Sequence, residues 1–277
     1  MAISFAQHLA AFALVGLDVL VRGVRIRVLL PMSLFRAITV NTCGDALAAV
    51  TPARLGGEPL RFVAFQRSGA SPAAVIAALA TEVCVDAILI VAIGLIVALA
   101  FRNAGRAWLE RLAELAASPS ARWVTVAVLA SLVLGGGVVV RLRRRWHVPL
   151  VHGTRDAWRL LTTRSPGALA RVAGLTLVSM VARSAILPVL AASVPEARLA
   201  GLMAGSFVLL FAQSVLPVPA GLGSVDLGFA AWFAGTLRDG DLARLLVLWR
   251  FYTIALGALA GALLLMRAPR SLSQSAP

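Results

Sequence analysis

The chain contains no lysine and few charged residues of any kind. Its 277 residues are 60% hydrophobic and 14% charged, and all 26 basic residues are arginines. A soluble domain is typically about 45–50% apolar and about 25% charged, because its surface faces water. The composition therefore excludes an ordinary soluble enzyme and predicts a protein that lies in a lipid bilayer.

Cysteine and histidine are also scarce, with two and three residues respectively. Cys43 and Cys84 lie in apolar stretches, which favours small buried side chains over a disulfide or a metal site. The spacing of His8, His147 and His152 fits no common metal motif, and the chain has no P-loop, no dinucleotide-binding glycine motif and no G-x-S-x-G. We expect no metal, no cofactor and no catalytic residue.

The arginines cluster between long apolar runs. They do not alternate with aromatic residues along a solvated stretch, so we expect no nucleic-acid binding. A helix of about 20 apolar residues crosses the roughly 30 Å hydrocarbon core of a bilayer. Five stretches meet this requirement, approximately at 2–21, 73–101, 123–140, 169–194 and 242–266.

The segment 141–171 gives the orientation, because it carries eight arginines against one aspartate. Short basic loops stay in the cytoplasm, so we expect the loop 141–168 and the tail 267–277 on that face of the inner membrane. The loop has room for an interfacial amphipathic helix on the anionic leaflet. The same reasoning places the arginine cluster 22–27 in a cytoplasmic turn after the first span and the N-terminus outside.

Two remaining segments, 29–70 and 199–238, must each begin and end on one face if the arginine clusters are to stay cytoplasmic. Each has two apolar arms separated by a break rich in proline and glycine, which cannot continue one helix. We predict two re-entrant hairpins that enter from opposite faces. Their breaks contain Pro52, Gly56 and Gly57 in the first and Pro217, Pro219, Gly221 and Gly223 in the second.

The two breaks align without gaps at an offset of 167 residues, with four identities in six positions. The same offset places 169–194 on 2–27 and 242–266 on 75–99. We therefore predict an all-α polytopic membrane protein with an inverted-topology repeat, in which repeat 1 covers about 2–140 and repeat 2 about 169–266. In such transporters the binding site lies where the interrupted segments of the two halves meet. The alternative is two unrelated loops with similar turns.

Charged residues within the apolar segments are the candidates for that site, because each costs about 2.5–3.5 kcal/mol at the bilayer centre. Glu82 and Asp86 share one helix face, and Arg250 occupies the corresponding region of the second half. We expect them to form a buried network that is either structural or in contact with substrate. Further charges lie in or beside the breaks or elsewhere within apolar segments: Arg54, Glu58, Arg61, Asp226, Asp45 and Arg183.

The order of these features resembles the membrane region of the lysylphosphatidylglycerol synthase family, also called flippase-like. The first signature is Thr51-Pro52-Ala53-Arg54-Leu55-Gly56-Gly57-Glu58-Pro59-Leu60-Arg61, followed by Glu82-x-x-x-Asp86; the second is the segment 217–226. The resemblance implies a membrane module that moves a lipid with a polar head between leaflets. The soluble aminoacyl-transferase domain of the synthases is absent from this sequence, so we expect no lipid aminoacylation.

Three functions follow as hypotheses. The first is a translocase for an anionic or polyprenyl-phosphate-linked lipid, with Arg54, Arg61 and Arg250 on the phosphate and Glu58, Glu82 and Asp86 organising the cavity. The second is an ion-coupled transporter of a small solute. The third is a non-transporting membrane partner that recruits a separate glycosyl- or aminoacyl-transferase through the 141–171 loop.

Overall fold

The computed structural model describes residues 3–51, 54–117, 156, 158–194, 198–213, 221, 223–233 and 237–267. Regular structure in this part of the chain is helical. The elements are α1 Phe5–Leu29, α2 Leu34–Val50, α3 Gly57–Arg67, α4 Pro72–Ala100, α5 Arg102–Ala117, α6 Pro166–Leu190, α7 Leu199–Ala212, α8 Ser224–Phe233, α9 Asp239–Arg250, a π-helical segment Phe251–Ala255, and α10 Leu256–Arg267.

Serine residues fix where several of these helices begin. Ser4 forms a capping box with Gln7 at the start of α1. Ser71 and Ser165 cap α4 and α6, and each is followed by a proline at the first helical position. A serine hydroxyl accepts from a free N–H of the first turn, and proline has no N–H to leave unpaired there. These starts are therefore set by local sequence.

Within the described ranges, three helices are long and apolar enough to cross a membrane: Pro72–Ala100, Pro166–Leu190 and Gly240–Arg267. They confirm the predicted helices at 73–101, 169–194 and 242–266. The span predicted at 123–140 lies outside the described residues, as do most of the loop 141–168 and residues 268–277.

The prediction for the end of the first helix was wrong. α1 does not stop at residue 21 before a solvated turn but continues to Leu29. Arg25 is buried and Arg22 is partly buried within the helical assembly, whereas Arg27 is exposed. The charge cluster resembled a cytoplasmic flank because the acidic partners that neutralise it come from distant segments.

Each predicted hairpin has two helical arms, one on each side of its break. α2 and α3 form the first pair, and α7 and α8 form the second. Adding 167 to the bounds of α3 gives 224–234, which matches α8 at Ser224–Phe233. The same shift moves α4 to 239–267, the range covered by α9, the π-helical segment and α10. The matching order of elements supports the repeat, while its inverted orientation stays a prediction.

The core is divided between the two halves. One apolar cluster contains Phe65, Val75 and Ile26, and the other contains Phe229 and Trp249. α1 packs along α6 more extensively than any other pair of described helices, and it contributes side chains to both clusters. α1 and α6 therefore join the halves at the position where the charged residues lie.

Close helix contact also depends on Gly261 in α10. A Cβ atom built at this residue would lie 2.0 Å from the carbonyl oxygen of Thr42 in α2. Small residues allow helix backbones to approach in a membrane, where apolar association supplies no driving force between helices. This contact fixes α10 against the first hairpin.

Candidate functional site

A small polar cavity lies where α1, the first hairpin, α6 and the π-helical segment meet. It encloses about 30 Å³, which is room for about two water molecules. Its charged lining consists of three arginines and two aspartates, namely Arg22, Arg54, Arg183, Asp18 and Asp45. Tyr252 and Thr253 of the π-helical segment complete the polar lining. Such π-helical turns occur frequently at functional sites.

Arg22 forms ion pairs with both aspartates. Its two terminal nitrogens donate to both carboxylate oxygens of Asp45, at 3.0 and 2.6 Å. Its Nε lies 3.2 Å from Asp18, which is one helical turn away on α1. Asp18 also accepts from the Ser179 hydroxyl of α6 at 2.5 Å. The bidentate arrangement fixes α1 to α2, so Arg22 is a structural tie.

Arg54 and Arg183 are held much less firmly. The guanidinium of Arg54 is 3.6 Å from Asp45, beyond hydrogen-bond distance. Arg183 donates to the carbonyl oxygen of Thr253 at 3.4 Å, and no carboxylate of a described residue forms an ion pair with it. Arg54 also has a φ of 58°, a conformation that is unfavourable for a residue with a side chain. The cavity thus carries an excess of positive charge in its two least-bound arginines.

A second network of ion pairs lies beside the cavity, and in it the carboxylates outnumber the arginines. Glu82 of α4 is 2% exposed and accepts from two arginines. Arg25 of α1 donates to it through Nε at 2.6 Å, and Arg61 of α3 donates to its other oxygen. A buried carboxylate needs such partners, because an isolated charge in a low-dielectric interior is very unfavourable. Glu82 therefore links α1, α3 and α4.

Two further carboxylates extend this network towards solvent. Arg25 donates to Asp86 at 2.5 Å and to the Thr176 hydroxyl of α6 at 2.8 Å. Arg61 donates to Glu58 at 2.8 Å. The side chain of Asp86 is 34% exposed and that of Glu58 is 50% exposed. Three carboxylates thus share two arginines, and the network is acidic overall.

The remaining predicted pair lies in the second half. Arg250 donates through Nε to Asp226 at 2.6 Å and through a terminal nitrogen to the carbonyl oxygen of Gly221 at 3.2 Å. Asp226 also accepts from the backbone N–H of Gly223, at the start of α8. The expected network of Arg250 with Glu82 and Asp86 was therefore wrong, because each of these groups has a nearer partner of opposite charge.

The hairpin glycines serve close packing and the turn itself. A Cβ at Gly57 would lie 3.0 Å from the carbonyl oxygen of Gly44 in α2, so a larger residue would separate the arms of the hairpin. Gly56 donates its N–H to the Thr51 hydroxyl. Gly221 and Gly223 both have positive φ. The prolines predicted at the breaks, Pro52, Pro217 and Pro219, lie outside the described residues.

The candidate residues predicted from the sequence fall into three groups. Glu58, Arg61, Glu82 and Asp86 lie together, Arg54 lies in the adjacent cavity, and Asp226 with Arg250 forms a separate pair. Sequence reasoning missed Asp18, Arg22 and Arg25. The spacing of Asp18 and Arg22 could have identified them. An acidic and a basic residue four positions apart lie on one helix face, which indicates that the apolar helix extends into the arginine cluster.

No group of three metal-binding side chains was found among the described residues. Apolar helices of membrane-spanning length, broken hairpins and buried ion pairs define an all-α multi-pass membrane protein. The family model of the lysylphosphatidylglycerol synthase TM region matches residues 2–261, so the chain belongs to this family. Membership makes it a membrane protein of lipid-related function and matches it to the membrane part of the synthases. No curated protein and no solved structure matched the chain.

Proposed function

We propose that the protein moves a phosphate-bearing lipid between the leaflets of the inner membrane, without covalent chemistry. The lipid is anionic or polyprenyl-phosphate-linked. Its phosphate binds in the polar cavity, with Arg54 as the first contact and Arg183 as the second. The loop 141–168 and the C-terminus lie in the cytoplasm.

The observation that carries this proposal is the uneven engagement of the three cavity arginines. Arg22 is neutralised by Asp18 and Asp45, while Arg54 and Arg183 keep donors available. Arginine presents a planar fork of donors that matches the oxygens of a phosphate. The unfavourable backbone of Arg54 adds weight, since strained residues cluster at functional sites.

Arg61 and Arg250 have lower priority as phosphate contacts than the sequence suggested. Each already donates to carboxylates, Arg61 to Glu58 and Glu82 and Arg250 to Asp226. The acidic network instead positions the helices around the cavity. It holds α3, the second arm of the first hairpin, against α1 and α4.

The cavity has to open for a head group to enter, because it has room for only about two water molecules. In this proposal the side chain of Arg54 moves away from Asp45, while the ion pairs that hold α2 and α3 stay in place. The phosphate would compete with Asp45 for Arg54, and the contact between these two is already long. Binding of the phosphate would then favour the open arrangement by its differential affinity.

The test is lipid movement in proteoliposomes. Fluorescent phosphatidylglycerol and a polyprenyl-phosphate analogue are followed by dithionite quenching or by an equivalent leaflet-specific readout. Wild-type protein should accelerate movement, and Arg54→Gln should reduce it to the rate of empty vesicles. Arg171→Gln is the matched control, because Arg171 is exposed on α6 away from the cavity. Equal rates with and without protein for both lipids would overturn the proposal.

An ion-coupled solute transporter is the second candidate, and one observation favours it. Asp86 is partly exposed, lies beside Glu82 and shares Arg25 with it, as proton-handling carboxylates do in transporters. This function predicts solute uptake that follows a pH gradient and is lost in Asp86→Asn, without lipid movement. A non-transporting partner of a separate transferase would show neither activity and would retain that enzyme only with the 141–171 loop intact.

A further inference from the structure

A large groove separate from the polar cavity lies between α2, α3 and α10. It encloses about 940 Å³, at the upper end of the range of small-molecule sites, about 300–1,000 Å³. Apolar side chains line much of the groove, among them Leu47, Leu60 and Val63 near the break of the hairpin. The break of the hairpin contributes Gly56 at the same end.

Three arginines lie together at the other end of the groove. Arg36 is in the first turn of α2, Arg67 ends α3 and Arg267 ends α10. The two arms of a hairpin run in opposite directions, which brings the start of α2 beside the end of α3. α10 also runs antiparallel to α2, since Gly261 packs at Thr42 and Arg267 lies further towards the start of α2.

These arginines are exposed and have no acidic neighbour in the groove. None of the described lining residues is an aspartate or glutamate, and no ion pair of the three arginines with a described carboxylate is present. They differ in this respect from the arginines of the polar cavity and of the acidic network. Their charge is therefore available to a ligand.

We propose that this groove binds one anionic phospholipid, whose acyl chain lies along the apolar floor and whose phosphate contacts Arg36, Arg67 and Arg267. An apolar slot with a cationic end matches the amphipathic shape of a lipid, and arginines near a membrane surface attract anionic head groups. A helix of a partner protein could occupy the same groove only if its acidic residues lay at one end and the rest of it were apolar. A single lipid from the surrounding bilayer matches both the apolar part and the cationic end of the groove.

The corresponding groove in the second half is smaller and encloses about 520 Å³. Subtracting 167 from Leu264 gives Val97, and adding 167 to Val40 gives Phe207; both residues line that groove. Trp108 of α5 enters it, donates to the carbonyl oxygen of Gly228 at 3.0 Å and packs edge-on against Trp232. No described helix places a tryptophan in the first groove in this way, so the first groove is the larger of the two and the one that we assign to a lipid.

This inference depends on the proposed function only if the bound lipid is the transported substrate. Lipid binding in the groove is measured independently of lipid movement between leaflets. The probe is phosphatidylglycerol with a diazirine near the end of one acyl chain, in nanodiscs that contain the full chain. Photo-crosslinks should map to α2, α3 and α10 near Leu47, Leu60 and Val63. A phosphatidylcholine probe with the same diazirine should give much less product there.

The matched variants change three arginines each. Arg36→Gln, Arg67→Gln and Arg267→Gln together should reduce groove crosslinking about 100-fold, as each arginine adds about a factor of five near an anionic lipid. Arg27→Gln, Arg171→Gln and Arg198→Gln together remove the same charge from exposed positions outside the groove and should leave it unchanged. Thermal unfolding of both triple variants checks their folding.

Equal crosslinking by the two lipids, or crosslinks that survive in the groove variant, would overturn the inference even if lipid movement is observed. Groove crosslinks that depend on the three arginines, in a protein that moves no lipid, would support the inference while removing the translocase function. The two proposals therefore fail separately.

Discussion

Arg54 and Gly221 adopt the same left-handed backbone conformation, with φ of 58° and 66°, and they are 167 residues apart. They occupy equivalent positions in the breaks of the two hairpins. The turn geometry is therefore shared by both halves, although only the second half uses the residue that suits it. The first half places an arginine where glycine is favoured, and that arginine lines the polar cavity.

Replacement of Arg54 should separate stability from function. Arg54→Gly removes a left-handed non-glycine residue, whose conformation costs about 1–2 kcal/mol, whereas Arg54→Ala keeps this cost. We expect the glycine variant to unfold at a higher temperature than the alanine variant in detergent, and both to lose lipid movement. An alanine variant as stable as the glycine variant would contradict the argument from strain.

Loss of Arg25 should destabilise the protein strongly. Arg25→Met leaves Asp86 without its basic partner and leaves the buried Glu82 with Arg61 alone. Removal of one partner from a buried ion pair costs about 3–5 kcal/mol. We expect a large decrease in the unfolding temperature in detergent and in the amount of protein recovered from membranes.

The control for Arg25 is Arg27→Met, two residues further along α1, because Arg27 is exposed. Its unfolding temperature should stay close to that of the wild type. The double variant Arg25→Met with Asp86→Asn should recover part of the lost stability, since one unpaired charge is removed. If Arg25→Met and Arg27→Met lowered the unfolding temperature equally, the ion-pair network would contribute nothing specific to stability.

An alanine at Gly261 should disrupt the contact between α10 and α2. The new methyl group would meet the Thr42 backbone at 2.0 Å, and a backbone carbonyl cannot rotate away. Such overpacking costs about 1–3 kcal/mol. Thermal unfolding should show this loss, whereas Gly16→Ala in α1, where no atom lies within 4 Å of the new Cβ, should be neutral or stabilising. A neutral Gly261→Ala would mean that the helices separate freely.

The Asp226 and Arg250 pair should contribute modestly. Asp226→Asn keeps an acceptor for the Gly223 N–H but removes the negative charge that faces Arg250. A charged hydrogen bond is worth about 1.5–3 kcal/mol when buried; with Asp226 one-third exposed, we expect a loss of about 1–2 kcal/mol. Glu110→Gln on an exposed position of α5 is the control. A loss as large as that of Arg25→Met would contradict this ranking.

The sequence predicted the hairpin arms well because the signals are local. Proline and glycine interrupt the apolar runs, serine caps begin the helices, and the offset of 167 appears in the residues themselves. The length of α1 was missed because its arginines were assigned to solvent. Their neutralisation by Asp45, Glu82 and Asp86 is a tertiary property, with partners from 23 to 61 residues apart. No local pattern contains that information.

The separation between α1 and its partners has a consequence for biogenesis. Asp18 and Arg22 pair within α1, but Arg25 is synthesised before its partners Glu82 and Asp86 on α4 exist. An unpaired charge costs about 2.5–3.5 kcal/mol at the bilayer centre. α1 is therefore a poor membrane segment until residue 86 has left the ribosome and can reach it. The first helix must be retained by the insertion machinery or at the interface until then, so the order of insertion differs from the order of synthesis.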